Sequence, residues 1–210
     1  MNNAPGKKPA EEPFFTGRLG IHNTVLTPLA APQPVNEPQR PEHPDVLRLA
    51  DLAGEDVDAL LRRLGLTLHR VAQNAAIPGS FWGDEEAGLQ GTRLLARPDT
   101  PVHSILHEAC HYACMTPARR KGLDTDAGGD YEEENGVCFL QILLADQLRG
   151  MDRRRMMRDM DACGYRFRRG SARDWFVGDS DDARDFLARH ELIDRDGRPT
   201  WKLRQAPGGT

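Results

Sequence analysis

The sequence predicts an α+β fold, with a short, mostly antiparallel sheet packed on a helical body. Three observations lead there. Two short segments, "LTLHRVA" and "GTRLLARPD", have the alternation and the β-branched or apolar content of strands. Several other stretches repeat apolar residues at helical spacing. Two of these, "VHSILHEACHYACM" and "YEEENGVCFLQILLADQLRG", are too long and too apolar to be surface helices.

The elements follow in chain order. Residues 1–44 are rich in Pro, Asn, Gln and Ala, and proline removes backbone donors and fixes φ, so this part predicts an extended or disordered tail. A single domain is expected over 45–200, and a loose end over 201–210. The body opens with "DVLRLADLAGEDVDALLRRLGL", where Val46, Leu49, Leu52, Val57, Leu60, Leu61 and Leu64 mark two short helices separated by Gly54 and ended by Gly65. The two strands come next, with the turn-rich "IPGSFWGDEEAG" between them. Asp99 or Thr100 can cap the helix that follows, with Pro101 in its first turn and Thr116-Pro117 as its stop. "ARRKGLDTDAGGD" reads as a loop. The second long helix starts with acidic residues, where the helix dipole favours them. "RRRMMRDMDACG" and "DSDDARDFLARHEL" predict two more helices, the latter a capped surface helix.

Bulk properties narrow the function. The 210 residues carry a net charge of -4, without the strong positive field of a nucleic-acid protein. No apolar run is long enough to span a bilayer, and the N-terminus has no signal-like apolar segment, so no membrane partner and a cytoplasmic location are expected. Four cysteines do not make a disulfide scaffold and agree with that location.

The chemistry concentrates in HEACH. His107 and His111 are four apart, so both imidazoles lie on one helix face and can reach one Zn²⁺. Glu108 beside them is placed to take a proton from a water at the metal. Val102, Ile105, Leu106 and Ala109 on the opposite face can pack on the core. A third ligand must come from elsewhere. Pro117 stands where a longer pattern would place a third histidine, and no further His occurs before His190. Glu132, Glu133 and Glu134 at the start of the second helix remain. Asp124, Asp126 and Asp130 can accept from the ligands' other ring nitrogens. Cys114 and His103 are further metal-ligand types nearby, and would close the site into a structural one. Tyr112, Tyr131, Tyr165, Arg166 and His190 are the residues of a type that stabilises an oxyanion.

HEACH followed by "EENGVCFLQILL" resembles the gluzincin arrangement, and more narrowly the small ImmA/IrrE-type metallopeptidases. In that family the HExxH helix is followed by a helix reading roughly E-x-x-A-x-x-F-A-x-x-L-L. Glu133, Gly136, Phe139, Leu143 and Leu144 fall in that spacing, with Leu140 departing from the usual small residue. The likeness covers about residues 60–145. It implies a zincin-like domain with Zn²⁺ held by His107, His111 and Glu133. Glu133 shares a helix face with Gly136, Val137, Leu140 and Leu144, whereas Glu134 shares one with Cys138, Gln141 and Ala145. The resemblance further implies a peptidase with Glu108 as general base, a peptide or protein substrate, and an edge strand, here "GTRLLARPD", that holds the substrate backbone as an added strand. A regulatory protein partner also fits that family. The rival expectations are a binding or regulatory module with a structural metal, and a non-peptidase metal enzyme using Fe²⁺ at a two-histidine, one-carboxylate site.

Overall fold

A computed structural model describes residues 45–78, 80, 85–124 and 127–206. The tail expected over 1–44 lies outside these residues, as do Asp126 and 207–210. The described chain has seven α-helices and one small sheet, an α+β arrangement. No helix among the described residues is long and apolar enough to cross a membrane.

A 3-10 turn at Leu49–Asp51 precedes α1 (Gly54–Arg63). Gly54 therefore opens α1 rather than only separating two helices. Val57, Leu60 and Leu61 face the core, and Gly65, at φ +76°, takes the left-handed conformation that ends the helix.

β1 (Thr67–Arg70) and β3 (Arg93–Ala96) are the expected strands. A third, β2 (Gly88–Gln90), starts at the last residue of the turn-rich stretch and forms a two-residue hairpin with β3 through Gly91 at φ +57°. The strand order is β1-β3-β2, with β1–β3 parallel and β2–β3 antiparallel. The sheet is thus mixed rather than mostly antiparallel, and "GTRLLARPD" supplies its centre, not its edge. Leu94, Leu95 and Ala96 explain this. All three are buried, as suits a strand covered on both faces and flanked on both sides.

Two long helices form the middle of the body. α2 (Val102–Cys114) begins at Pro101, which is its N-cap, so neither Asp99 nor Thr100 caps it. Its first amide, Val102 N–H, is satisfied by the Leu47 carbonyl at 2.8 Å. The stretch read as a loop contains a short helix, α3 (Pro117–Lys121), capped by the Thr116 side chain. α4 (Tyr131–Ala145) packs along α2, with Asp130 capping its Glu133 N–H at 2.9 Å. α5 (Arg153–Ala162) and α7 (Asp181–Arg189) flank α4, and α6 (Ala172–Gly178) packs on α5. Gly136 lies against Phe186 of α7. A Cβ there would sit 2.4 Å from Phe186 Cδ1, so only glycine admits that ring.

The C-terminal segment departs from the loose end expected after residue 200. Arg63 stacks 3.4 Å over the Trp201 ring. Arg204 N–H donates to the Ala113 carbonyl at 2.9 Å, and its guanidinium reaches the Cys114 carbonyl at 3.3 Å. These carbonyls lie in the last turn of α2 and lack helical partners, so the tail acts as that helix's C-terminal cap.

Candidate metal centre

α2 is buried almost all round. Among its residues only His107 and Glu108 are not fully buried, so the helix opens to solvent at the first two positions of HEACH. The opposite side, Val102, Ile105, Leu106 and Ala109, is sealed in the core as expected. Burying each of the larger aliphatic side chains stabilises by about 1.5–3 kcal/mol, which holds the helix and its histidines in place.

His107 Nε2 and His111 Nε2 lie 3.0 Å apart, with the rings crossed at 90°. Glu134 completes the group from α4. Its Oε1 is 3.5 Å from His111 Nε2 and its Oε2 is 4.0 Å from His107 Nε2. One donor atom from each of these three residues lies within 4.8 Å of the others, so the group can hold a metal ion. Two imidazole nitrogens and a carboxylate oxygen are a donor set that zinc accepts. Burial lowers the pKa of His107, opposed by its contact with Gln141. Burial, then His107 and Arg119, holds His111 well below the usual imidazole value. Both rings are thereby kept neutral, the form that ligates metal. Burial and the neighbouring Glu133 raise the pKa of Glu134, so a cation beside it relieves a real electrostatic cost.

Glu133, expected as the third ligand, faces elsewhere. It is 3% exposed and sits between two arginines, with Oε1 2.6 Å from Arg119 Nη1 and Oε2 2.9 Å from Arg204 Nη1. Arg119 also donates to the Ala127 carbonyl. One residue turns the side chain by about 100° around a helix. The three glutamates accordingly find three different partners: Glu132 pairs with Arg189 at the surface, Glu133 with Arg119 and Arg204, and Glu134 with the histidines.

The remaining candidates separate as clearly. His103 is buried one turn before His107, and neither of its ring nitrogens has a hydrogen-bond partner among the described residues. Burial drives its pKa down to about 3. Cys114 is fully buried, its thiol pushed up by that burial, and neither residue joins the donor group. Asp130 caps α4, and Asp124 pairs as an isolated bridge with Gln90. The group at the outer nitrogen of His107 is instead Gln141, whose Oε1 lies 2.9 Å from Nδ1. Sequence reasoning missed it, although a single amide inside "VCFLQILLA" was the available signal. Of the oxyanion candidates, Tyr165 alone has a ring packed on a member of the donor group, edge-on to His107 with centroids 5.6 Å apart. Tyr131 is 62% exposed, Arg166 is exposed, Tyr112 lies under Arg120, and His190 packs on Phe186.

With β3 in the centre, β2 is one of the sheet's two edges. Two of its flanking amides are already taken: Ala87 N–H by Ser104 Oγ at 2.9 Å, and Gly91 N–H by the Leu123 carbonyl at 3.2 Å. Comparison with known proteins adds nothing to this geometry, since no family model, curated protein or solved structure matches the chain.

Proposed function

We propose that this chain is a zinc-dependent hydrolase, acting on an amide bond of a peptide or protein, with the ion held by His107, His111 and Glu134. The observation that carries the reading is the meeting of the three donors within 4.8 Å at the one opening of α2, with Glu108 in that opening beside His107. The resemblance to the ImmA/IrrE-type metallopeptidases supports the reaction class, with the ligand moved from Glu133 to Glu134. A zinc ion held there supplies Lewis acidity, polarising a substrate carbonyl and acidifying water. Glu108 accepts a proton from the attacking water as its oxygen bonds the carbonyl carbon, and returns it to the nitrogen as the C–N bond breaks. His107 and His111 are held neutral, which spares the site competing proton transfers. The Tyr165 ring walls one side of His107.

The test is zinc content together with hydrolysis of a peptide library, for wild type, His111→Ala, Glu134→Gln and Glu108→Gln. The expected result is about one zinc per chain in wild type. Zinc is lost in His111→Ala and weakened in Glu134→Gln. It is retained without hydrolysis in Glu108→Gln. Zinc that stays in His111→Ala, or full hydrolysis by Glu108→Gln, defeats the proposal. Iron in place of zinc, with turnover that requires oxygen, would assign the same donors to an oxygenase instead.

A further inference from the structure

Gln141 has no exposed surface and lies in the apolar run of α4. A buried primary amide is costly unless its donors and its acceptor find partners. Its Nε2 lies 3.3 Å from the His103 carbonyl oxygen and 3.6 Å from Met156 Sδ, and its Oε1 lies 2.9 Å from His107 Nδ1. A backbone carbonyl can only accept, so the Gln141 atom facing it is the amino group. That settles the direction of the amide. Its oxygen, which can only accept, faces Nδ1, and the proton of a neutral His107 ring therefore sits on Nδ1. Nε2 keeps its lone pair on the side where His111 and Glu134 converge. Glu134 and Gln141 are seven residues apart, two turns of helix, so one stripe of α4 carries both the third donor and the group that orients the first.

We infer that Gln141 is a positioning residue that fixes the tautomer of His107 and tunes the metal centre; this rests on the zinc reading above. The tuning follows from its neutrality. A carboxylate at this place draws the Nδ1 proton toward itself and makes the imidazole a stronger donor. An amide orients the ring without that push. The centre gives up some affinity for zinc and leaves the ion more electron-poor, which favours its action on a carbonyl.

Two measurements on wild type, Gln141→Leu and Gln141→Glu test this. The His107 tautomer is read by long-range ¹⁵N–¹H NMR on chelator-treated protein, and the zinc dissociation constant by competition with a chelator of known affinity. The wild type should show Nδ1–H, and Gln141→Leu a mixture of tautomers with zinc bound about 10–100-fold more weakly. Gln141→Glu keeps an acceptor for Nδ1–H but sets its second oxygen against the His103 carbonyl, so it should hold the Nδ1–H tautomer and serves as the tautomer control. A Leu variant with wild-type tautomer and affinity overturns the role of Gln141 while leaving the zinc site standing. If that variant does not fold, Nε2–H on His107 in the wild type or in Gln141→Glu overturns it. If the wild type binds no zinc, the hydrolase reading falls separately. The tautomer then still decides, because Nε2–H on His107 contradicts the inferred orientation.

Discussion

Glu133 and Glu134 are neighbours in the chain and opposites in surroundings. The Glu133 carboxylate spans Arg119 and Arg204, at 2.6 and 2.9 Å, and is 3% exposed. Glu134 turns to His111 Nε2 at 3.5 Å with its side chain 38% exposed. The first belongs to the scaffold and the second to the group that can hold a metal ion.

Substituting them should separate the two roles. Glu134→Gln should lower zinc content and leave the folding free energy of the zinc-free protein nearly unchanged. Glu133→Gln should keep zinc and lose about 3 kcal/mol of stability, at the low end for a broken buried pair because Arg119 reaches solvent. Zinc content and urea denaturation of the zinc-free proteins check both. The opposite pattern would return Glu133 to the ligand set.

Gly136→Ala tests the contact with α7. Alanine is the better helix former by about 1 kcal/mol. Its Cβ would meet Phe186 Cδ1 at 2.4 Å, and Phe186 is itself buried, so the ring has to move. Overpacking of this kind costs about 1–3 kcal/mol. The melting temperature should fall, and Phe186→Leu in the same chain should restore part of the loss. A rise in melting temperature on Gly136→Ala alone would contradict the close approach.

His103 makes the fold acid-sensitive. Its pKa is about 3 in the folded chain against 6.5 for an ordinary histidine, so the unfolded chain binds the proton first. The stability it contributes is present above about pH 6.5 and is lost as pH falls toward 3, on the order of 5 kcal/mol at the acid limit. His107 and His111 move in the same direction, so the comparison must isolate His103. His103→Leu should show a shallower fall in urea midpoint between pH 7 and pH 4 than wild type, both measured with chelator. Parallel curves would show that the ring is not buried as described.

Arg204→Ala should destabilise without touching the donors. It removes one of the two cations on Glu133 and a bond to the Cys114 carbonyl. A loss of about 1–3 kcal/mol, with zinc affinity reduced only slightly, is the expected result. Unchanged stability would mean that the tail does not hold α2 and α4 together.

Much of this arrangement was legible in the residues, and the failures have physical causes. HEACH lay in a helix because an apolar face backed it, and the glutamate helix was marked by its acidic first turn and the Asp130 cap. Which glutamate faces the histidines was not legible. Spacing assigns faces relative to one another, but the rotation of α4 is set by partners elsewhere, including an arginine 71 residues further on. The apolar company of Glu133 was read correctly as a buried face, and a buried carboxylate was then taken for a ligand when it was the centre of an ion triad. β2 escaped notice because three residues ending in a glycine turn carry little alternation, and with it went the identity of the sheet edge. The tail looked loose because its contacts come from Trp201 and Arg204 singly, and single anchors leave no periodic trace.

The triad also has an order in time. Arg119 precedes Glu133 by 14 residues and is already made when Glu133 is added, but Arg204 follows 71 residues later. At about 5–20 residues per second that is roughly 4–14 s of synthesis. During the interval every proposed zinc donor already exists, while the helix that presents them is clamped on one side only. On the proposed zinc reading, metal capture by the nascent chain and final tightening of its frame are therefore separable events, and a chain interrupted before Arg204 would hold the donors in an unfinished mount.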